Sequence, residues 1–135
     1  GRGLKDSMQN AFKDAKVSSS SIDYVNAHAP STPIGDASEI KALKATFSES
    51  QSIKFSSTKA LTGHGLSLSS IMEAAFCCLA LKEGFLPGSA NVSSPDPEIG
   101  HLHLLRETVQ EQATRILSNS SGFGGANVSL VFEKV

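Results

Sequence analysis

The chain has 135 residues, of which 39% are hydrophobic and 19% charged, and its formal net charge is -1. This length supports one hydrophobic core, so we expect residues 1–135 to form a single domain. A nearly balanced charge without a basic, aromatic-rich run argues against nucleic acid as a partner. No apolar stretch is long enough to span a membrane, and the first residues lack an apolar signal core, which fits a cytoplasmic protein or a fragment of a longer one.

The first part of the chain alternates between helix-like and strand-like segments. Apolar residues at helical spacing predict an amphipathic helix over residues 4–16. Residues 22–27 are strand-like and run directly into a loop that contains two prolines and a glycine. This loop places His28 at the C-terminal end of a strand. Beyond it, Asp36 and Glu39 have the spacing of a capping box, which predicts a helix over about residues 36–48.

A short turn carrying Lys59 and His64 separates a strand-like segment, residues 53–57, from the most apolar run in the chain. That run, residues 66–81, has no Pro or Gly and predicts a well-buried helix that ends at Gly84. Its two adjacent cysteines cannot bridge each other within a helix and are interpreted as buried, inert thiols. A helix N-terminus favours anions and keeps a neighbouring imidazole neutral, so this turn is a candidate site.

The last part of the chain contains three strand-like segments, at residues 102–105, 113–118 and 128–132. A Gly-rich bend at residues 119–126 joins the last two. The order helix, strand, helix, strand, helix and then several strands predicts an α/β domain in which helices pack on a layered, mixed sheet.

Three loops are expected to meet at the C-terminal ends of strands: the loop with His28, the turn with Lys59 and His64, and the bend around Phe123. Either histidine alone is compatible with an ordinary structural role, but two at equivalent strand ends favour a site. A neutral imidazole can donate a hydrogen bond to an oxygen that becomes negative, as in an enolate or a tetrahedral oxyanion. The glycines of the bend allow the backbone N–H of Phe123 to face a ligand, although a plain hairpin turn explains them equally well.

Two other kinds of site are not expected. His101 and His103 share i, i+2 spacing, but no third ligand accompanies them, so no metal site is predicted. The chain also offers no credible nucleophile, since neither cysteine has a reactive environment.

Three blocks of the sequence resemble the β-ketoacyl-acyl-carrier-protein synthases, which have the thiolase fold. The blocks are Asn26-Ala27-His28 with Ser31-Thr32-Pro33-x-Gly35-Asp36-x-x-Glu39, Lys59-x-x-Thr62-Gly63-His64, and Ser118-Asn119-Ser120 with Gly122-Phe123-Gly124-Gly125-x-Asn127. They occur in the family's order and spacing, and the similarity extends over residues 22–134. The resemblance therefore implies a C-terminal half of such a synthase, with the N-terminal half and its nucleophilic Cys lying outside this chain.

The resemblance implies catalytic roles for four polar residues. His28 and His64 resemble the two histidines that hydrogen-bond the malonyl thioester carbonyl and support decarboxylation. Lys59 is similar to the family's active-site lysine, and Glu39 to the acidic residue that pairs with it.

The resemblance also assigns residues around the substrate. Phe123 is similar to the gate residue whose backbone N–H joins the oxyanion hole, and Thr32 and Gly124 are the expected substrate-binding positions. The family usually has Gly-Thr after the first histidine, where this chain has Ala29-Pro30. Because Pro30 has neither a hydroxyl nor an N–H, Thr32 is left as the hydroxyl that can hold the phosphopantetheine arm.

The activity implied by the resemblance is decarboxylative Claisen condensation of an acyl thioester with malonyl-acyl-carrier protein, in fatty acid or polyketide biosynthesis. No resident cofactor is implied, because phosphopantetheine arrives on the carrier protein. The implied partners are the acyl carrier protein, the N-terminal half and, at full length, a second copy, and this domain alone is expected to be inactive. Two alternatives stay open: a non-condensing partner subunit of the chain-length-factor type or acyl-binding module, and an α/β domain whose histidines have only structural roles.

Overall fold

A five-stranded mixed sheet organises the computed structural model, which describes residues 1–135. The strand order is β3-β2-β1-β4-β5. Strand β1 pairs in parallel with both β2 and β4, β2 pairs in parallel with β3, and β4 and β5 form an antiparallel hairpin. The strands are β1 (Tyr24–Asn26), β2 (Lys54–Ser56), β3 (His103–Leu104), β4 (Arg115–Ser121) and β5 (Asn127–Glu133). The predicted mixed α/β sheet is confirmed.

Helices cover both faces of this sheet. The α-helices are α1 (Arg2–Ala15), α2 (Pro33–Thr46), α3 (Lys59–Thr62) and α4 (Ser69–Glu83). Alternate residues of a strand point to opposite faces. Val25 accordingly packs in the larger core with α1 and α2, whereas its neighbour Tyr24 packs in the smaller core under α4. Strands β1 and β4 therefore have apolar residues on both faces, as expected for the centre of a sheet covered on two sides. None of the helices is long and apolar enough to cross a membrane.

Helix α2 begins earlier than the sequence pattern predicts. Thr32 is its N-cap residue and Pro33 is its first residue, a position where a proline loses no hydrogen bond. Asp36 consequently lies in the first turn, where its Oδ1 accepts the Ser31 backbone N–H at 3.1 Å. The predicted capping box of Asp36 and Glu39 is therefore wrong, and Glu39 has a different role, described below.

Helix α4 is only half buried, which corrects the prediction of a well-buried helix. Cys77 is 1% exposed, whereas Cys78 is exposed, so the prediction of buried thiols holds for Cys77 alone. The apolar side chains left in solvent on and before this helix are Leu61, Leu66, Leu68, Ile71 and Leu79. A run that is apolar on all sides does not show which side the domain covers, and this is why the prediction failed.

Gly88 is required for the close approach of two loops next to the site. A Cβ at this position would overlap the backbone of Glu107. The next residue, Ser89, is buried, and its hydroxyl accepts the Ser57 backbone N–H at 2.9 Å. We expect Gly88→Ala to lower the free energy of unfolding by about 1–3 kcal/mol in urea denaturation, because backbone atoms must move apart. The matched control is Gly122→Ala, whose Cβ would have only ordinary contacts at 3.7 Å or more; an equal loss in that variant would contradict the steric explanation.

Candidate active site

The two histidines predicted as site residues lie side by side at one edge of the sheet. His28 follows the end of β1, and His64 follows α3, which begins shortly after β2 ends. Their rings are edge-to-face, with centroids 5.3 Å apart and an interplanar angle of 81°. Both rings line an open cavity of ≈ 670 Å³, together with Thr32 and Phe123. The predicted convergence of the three loops is therefore confirmed.

The loop that carries His28 is held by Glu39. This carboxyl group, 5% exposed on α2, accepts the backbone N–H of His28 at 3.0 Å and that of Ala29 at 2.7 Å. The side-chain amide of Asn119, fully buried on β4, donates to it at 3.4 Å. Ala29 and Ser31 have φ angles of 26° and 69°, values that are costly for residues other than glycine. Glu39 therefore stabilises a strained loop and thereby positions the His28 ring. Burial raises the pKa of the Glu39 carboxyl.

Lys59 does not pair with Glu39, which corrects the pairing implied by the family resemblance. Its Nζ donates to Oε1 of Glu73, on the buried side of α4. Both side chains are almost completely inaccessible to solvent. Burial raises the pKa of the Glu73 carboxyl, and the neighbouring Lys59 ammonium opposes that rise. Glu73 is the only charged residue in the apolar run 66–81, which marks it as unusual, but nothing in the sequence links it to Lys59.

The hydrogen bonds of His64 define which of its ring nitrogens can donate. The backbone N–H of Leu66 donates to Nδ1 at 3.1 Å, and the Ser69 hydroxyl lies 3.1 Å from the same atom. Since Nδ1 is an acceptor, the neutral ring carries its proton on Nε2. Leu66 has a φ of 53°, so this arrangement also uses a strained backbone. The ring is thus prepared to donate a hydrogen bond from Nε2.

His28 is kept neutral by its surroundings. Burial lowers its pKa to about 4, and the nearby charges of Lys59 and His64 act in the same direction. Its Nδ1 is buried and has no hydrogen-bond partner within the protein. The site therefore places a neutral His28 beside His64, whose Nε2 can donate, on one cavity, an arrangement suited to an oxygen that gains negative charge.

The lowered pKa of His28 predicts a specific pH dependence of stability. Below the ordinary histidine pKa, near 6.5, the unfolded chain takes up a proton at this position, and the folded chain does not until about pH 4. Relative to His28→Gln, the wild-type free energy of unfolding should therefore fall as the pH is lowered from 6.5 to 4. Because solvent screens the half-buried ring, we expect a fall of about 1–2 kcal/mol. Urea unfolding of both proteins across this range measures it.

The comparison with His28→Gln is needed because two buried carboxyl groups act in the opposite direction. The raised pKa values of Glu39 and Glu73 favour the folded state as the pH falls, since those groups are protonated more readily in the folded chain. Subtracting the free energy of unfolding of His28→Gln from that of the wild type at each pH removes the contribution of the two carboxyl groups. Parallel pH profiles for the wild type and the variant would contradict the assignment of a perturbed His28.

Only some of the other predicted site residues line the cavity of the two histidines. Thr32 and Phe123 line the cavity of the histidines, and Phe123 is 98% exposed. Gly35 permits a close approach at the cavity rim, because a Cβ there would meet Oγ1 of Thr32 at 2.5 Å. Gly124, with a φ of 76°, lies in the bend but does not line this cavity. Lys59 and Glu39 instead line a second cavity of ≈ 390 Å³, which His64 also lines.

The structure adds three residues to which the sequence patterns assigned no role: Glu73, Asn119 and Ser69. Asn119 stood in a recognised motif, but only the fold shows that it reaches the carboxyl of Glu39. Ser69 had no signal in the sequence. No group of three His, Cys, Asp or Glu side chains is arranged to hold a metal ion.

Comparison with known proteins identifies the family. The family model described as "Beta-ketoacyl synthase, C-terminal domain" matches residues 1–93. A mitochondrial 3-oxoacyl-[acyl-carrier-protein] synthase of Arabidopsis thaliana is 43% identical, over 100% of this chain and 30% of its own length. The 3-oxoacyl-[acyl-carrier-protein] synthase 1 of Escherichia coli (strain K12) is 40% identical, over 84% of this chain and 28% of its own length. The chain belongs to the β-ketoacyl synthase family, of which it represents the C-terminal domain.

Solved structures agree with this assignment. A β-ketoacyl synthase from Burkholderia phymatum has a TM-score of 0.92 and 35% identity, over 98% of this chain and 32% of that one. A ketosynthase in complex with a type II polyketide synthase acyl-carrier protein also has a TM-score of 0.92, with 30% identity over 98% of this chain and 33% of that one. The fold is the thiolase-like α/β arrangement of ketosynthases. The chain spans about a third of the length of these relatives.

Proposed function

We propose that this chain supplies the decarboxylation half of a β-ketoacyl-acyl-carrier-protein synthase active site. The observation that carries the proposal is the pair of adjacent imidazoles, His28 and His64, on one cavity. When CO₂ leaves the malonyl thioester, the bonding electrons move toward the thioester carbonyl and its oxygen becomes negative. Two hydrogen-bond donors at that oxygen lower the barrier to this step without taking part in covalent chemistry.

The second step needs a nucleophile that this chain does not provide at the cavity. The enolate carbon attacks an acyl thioester, a new carbon–carbon bond forms, and the enzyme thiolate leaves. Burial raises the pKa of the Cys77 thiol to about 12, so it cannot serve as that thiolate. Cys78 is exposed but does not line the histidine cavity. We therefore assign the acyl-carrying Cys to an N-terminal half of the same protein, as the resemblance implies.

The surface of the chain supports such a missing half. Large apolar side chains lie in solvent along α3 and α4, and others surround the histidine cavity, where Leu66 and Phe123 are 67% and 98% exposed. Apolar surface that borders a site is typical of an interface. We propose that the N-terminal half covers it and closes the cavity into a substrate tunnel.

The proposed substrates follow from this chemistry. Malonyl-acyl-carrier protein brings the phosphopantetheine arm to the cavity, where the Thr32 hydroxyl is available to it and Pro30 offers no donor. No resident cofactor is proposed. A homodimer at full length and a cytoplasmic location stay predictions, and the pathway is fatty acid or polyketide biosynthesis.

The direct test is reconstitution. The 135-residue chain alone should neither condense nor acylate, whereas the protein that includes the upstream half should release CO₂ from malonyl-acyl-carrier protein and form a β-ketoacyl product. Release of CO₂ is followed with carboxyl-labelled malonyl substrate, and product formation by mass spectrometry of the carrier protein. Absence of both reactions in the longer protein would contradict the proposal.

A second function is favoured by one position. Pro30 stands where the family usually has a hydroxyl, and the ishigamide ketosynthase/chain length factor matches this fold with a TM-score of 0.93 at 26% identity. A non-condensing partner subunit of the chain-length-factor type would keep the fold without the nucleophile. The upstream sequence separates the two: a Cys at a strand-to-helix turn supports the synthase, and Gln or Ala there supports the partner subunit.

A further inference from the structure

Ser69 is a buried hydroxyl next to a catalytic candidate. It is the first residue of α4 and is 3% exposed. Its Oγ lies 3.1 Å from Nδ1 of His64, and this is its only side-chain hydrogen bond. Buried hydroxyl groups almost always have a partner. The hydrogen bond to the His64 imidazole therefore explains why a serine occupies this buried position.

The direction of this hydrogen bond follows from a second contact. The Leu66 backbone N–H already donates to Nδ1 at 3.1 Å, so that nitrogen carries a lone pair and no proton. The Ser69 hydroxyl must consequently donate as well. Two donors converge on one ring nitrogen, one from a strained backbone amide and one from the start of a long helix.

We propose that Ser69 is a positioning residue for His64. Its hydroxyl joins the ring to the N-terminal turn of α4 and, together with the Leu66 amide, keeps the proton on Nε2. The opposite tautomer would offer a lone pair to the developing enolate oxygen and would repel it. The role in turnover rests on the proposed decarboxylation, whereas the hydrogen bond itself does not.

The chain contains a matched control for this residue. Ser70 is adjacent in sequence, lines the same cavity and is exposed, and its side chain makes no hydrogen bond to His64. Removing either hydroxyl changes the side-chain volume by the same amount. Only the Ser69→Ala change removes a donor from the imidazole.

The test uses the protein with its upstream half, labelled with ¹⁵N at histidine. In Ser69→Ala, we expect the Nδ1 resonance of His64 to move toward the position of a nitrogen without a hydrogen bond, while Ser70→Ala keeps the wild-type spectrum. We also expect Ser69→Ala to lower kcat for malonyl decarboxylation about three- to tenfold, with KM unchanged, because one neutral hydrogen bond is lost. Ser69→Thr, which retains the hydroxyl, should restore both the resonance and kcat.

Two failures are distinguishable. An unchanged Nδ1 resonance in Ser69→Ala, or equal losses of kcat in Ser69→Ala and Ser70→Ala, would overturn the positioning role. If the wild-type protein did not decarboxylate malonyl thioesters, the proposed function would fail, and the ¹⁵N spectra would still decide whether Ser69 holds the ring.

Discussion

Replacing either His28 or His64 with alanine should lower the rate of malonyl decarboxylation by about 10²–10³-fold in the protein that includes the upstream half. Each substitution removes one donor from the oxygen that becomes negative, while the other imidazole, whose ring centroid lies 5.3 Å away, remains. Labelled CO₂ release under saturating malonyl-acyl-carrier protein measures the effect. The rate of enzyme acylation should change much less, because that step occurs at the nucleophile of the other half.

His103 provides a control for this prediction. It is an exposed histidine on the edge strand β3, away from the cavity of the other two. His103→Ala should retain the wild-type rate. If all three single variants decarboxylated at equal rates, the two imidazoles would be structural residues and the assignment of the site would be wrong.

The second large effect concerns stability and arises from the buried ion pair of Lys59 and Glu73. Lys59→Ala leaves a carboxyl group without a partner, since the second oxygen of Glu73 already has none in the protein. Breaking a buried pair from one side costs about 3–5 kcal/mol, so we expect a loss of that size in the free energy of unfolding. Urea unfolding should be measured at mildly alkaline pH, because protonation of Glu73 would reduce the loss.

A partly exposed ion pair in the same chain provides the comparison. Nζ of Lys54 lies 2.6 Å from Oε1 of Glu111, and the two side chains are 31% and 42% exposed. Lys54→Ala should therefore cost less than about 1 kcal/mol. The double variant Lys59→Met/Glu73→Leu should recover most of the stability lost in Lys59→Ala, since it removes the unpaired charge. Equal losses for Lys59→Ala and Lys54→Ala would show that burial does not govern the energy of the pair.

The strand ends and the residues that follow them could be predicted because local patterns determine them. Short apolar segments located the strands, by alternation in the case of residues 53–57, and prolines and glycines located the loops with His28 and His64. Parallel strands then bring their carboxyl ends to one edge, which accounts for the meeting of these loops. The family resemblance added the chemical roles, which no local pattern contains.

The side-chain partners could not be predicted, because they depend on how helices settle on the sheet. Glu39 and Glu73 are both buried carboxyl groups on helices, and no spacing in the sequence indicates which one Lys59 meets. In the structure, Glu73 receives the ammonium and Glu39 receives two backbone amides. The exposed side of α4 could not be predicted for a similar reason, since an apolar run does not indicate which part of the helix surface the domain leaves in solvent.

The two imidazoles depend on separate sets of supporting groups. A carboxyl group and a side-chain amide hold the loop of His28, whereas a backbone amide and a hydroxyl hold the ring of His64, and the two sets share no residue. A substitution can therefore alter the orientation of one ring and leave the other in place. Each hydrogen-bond donor of this site can therefore be adjusted by its own small substitution, without a simultaneous change in the groups that support the other.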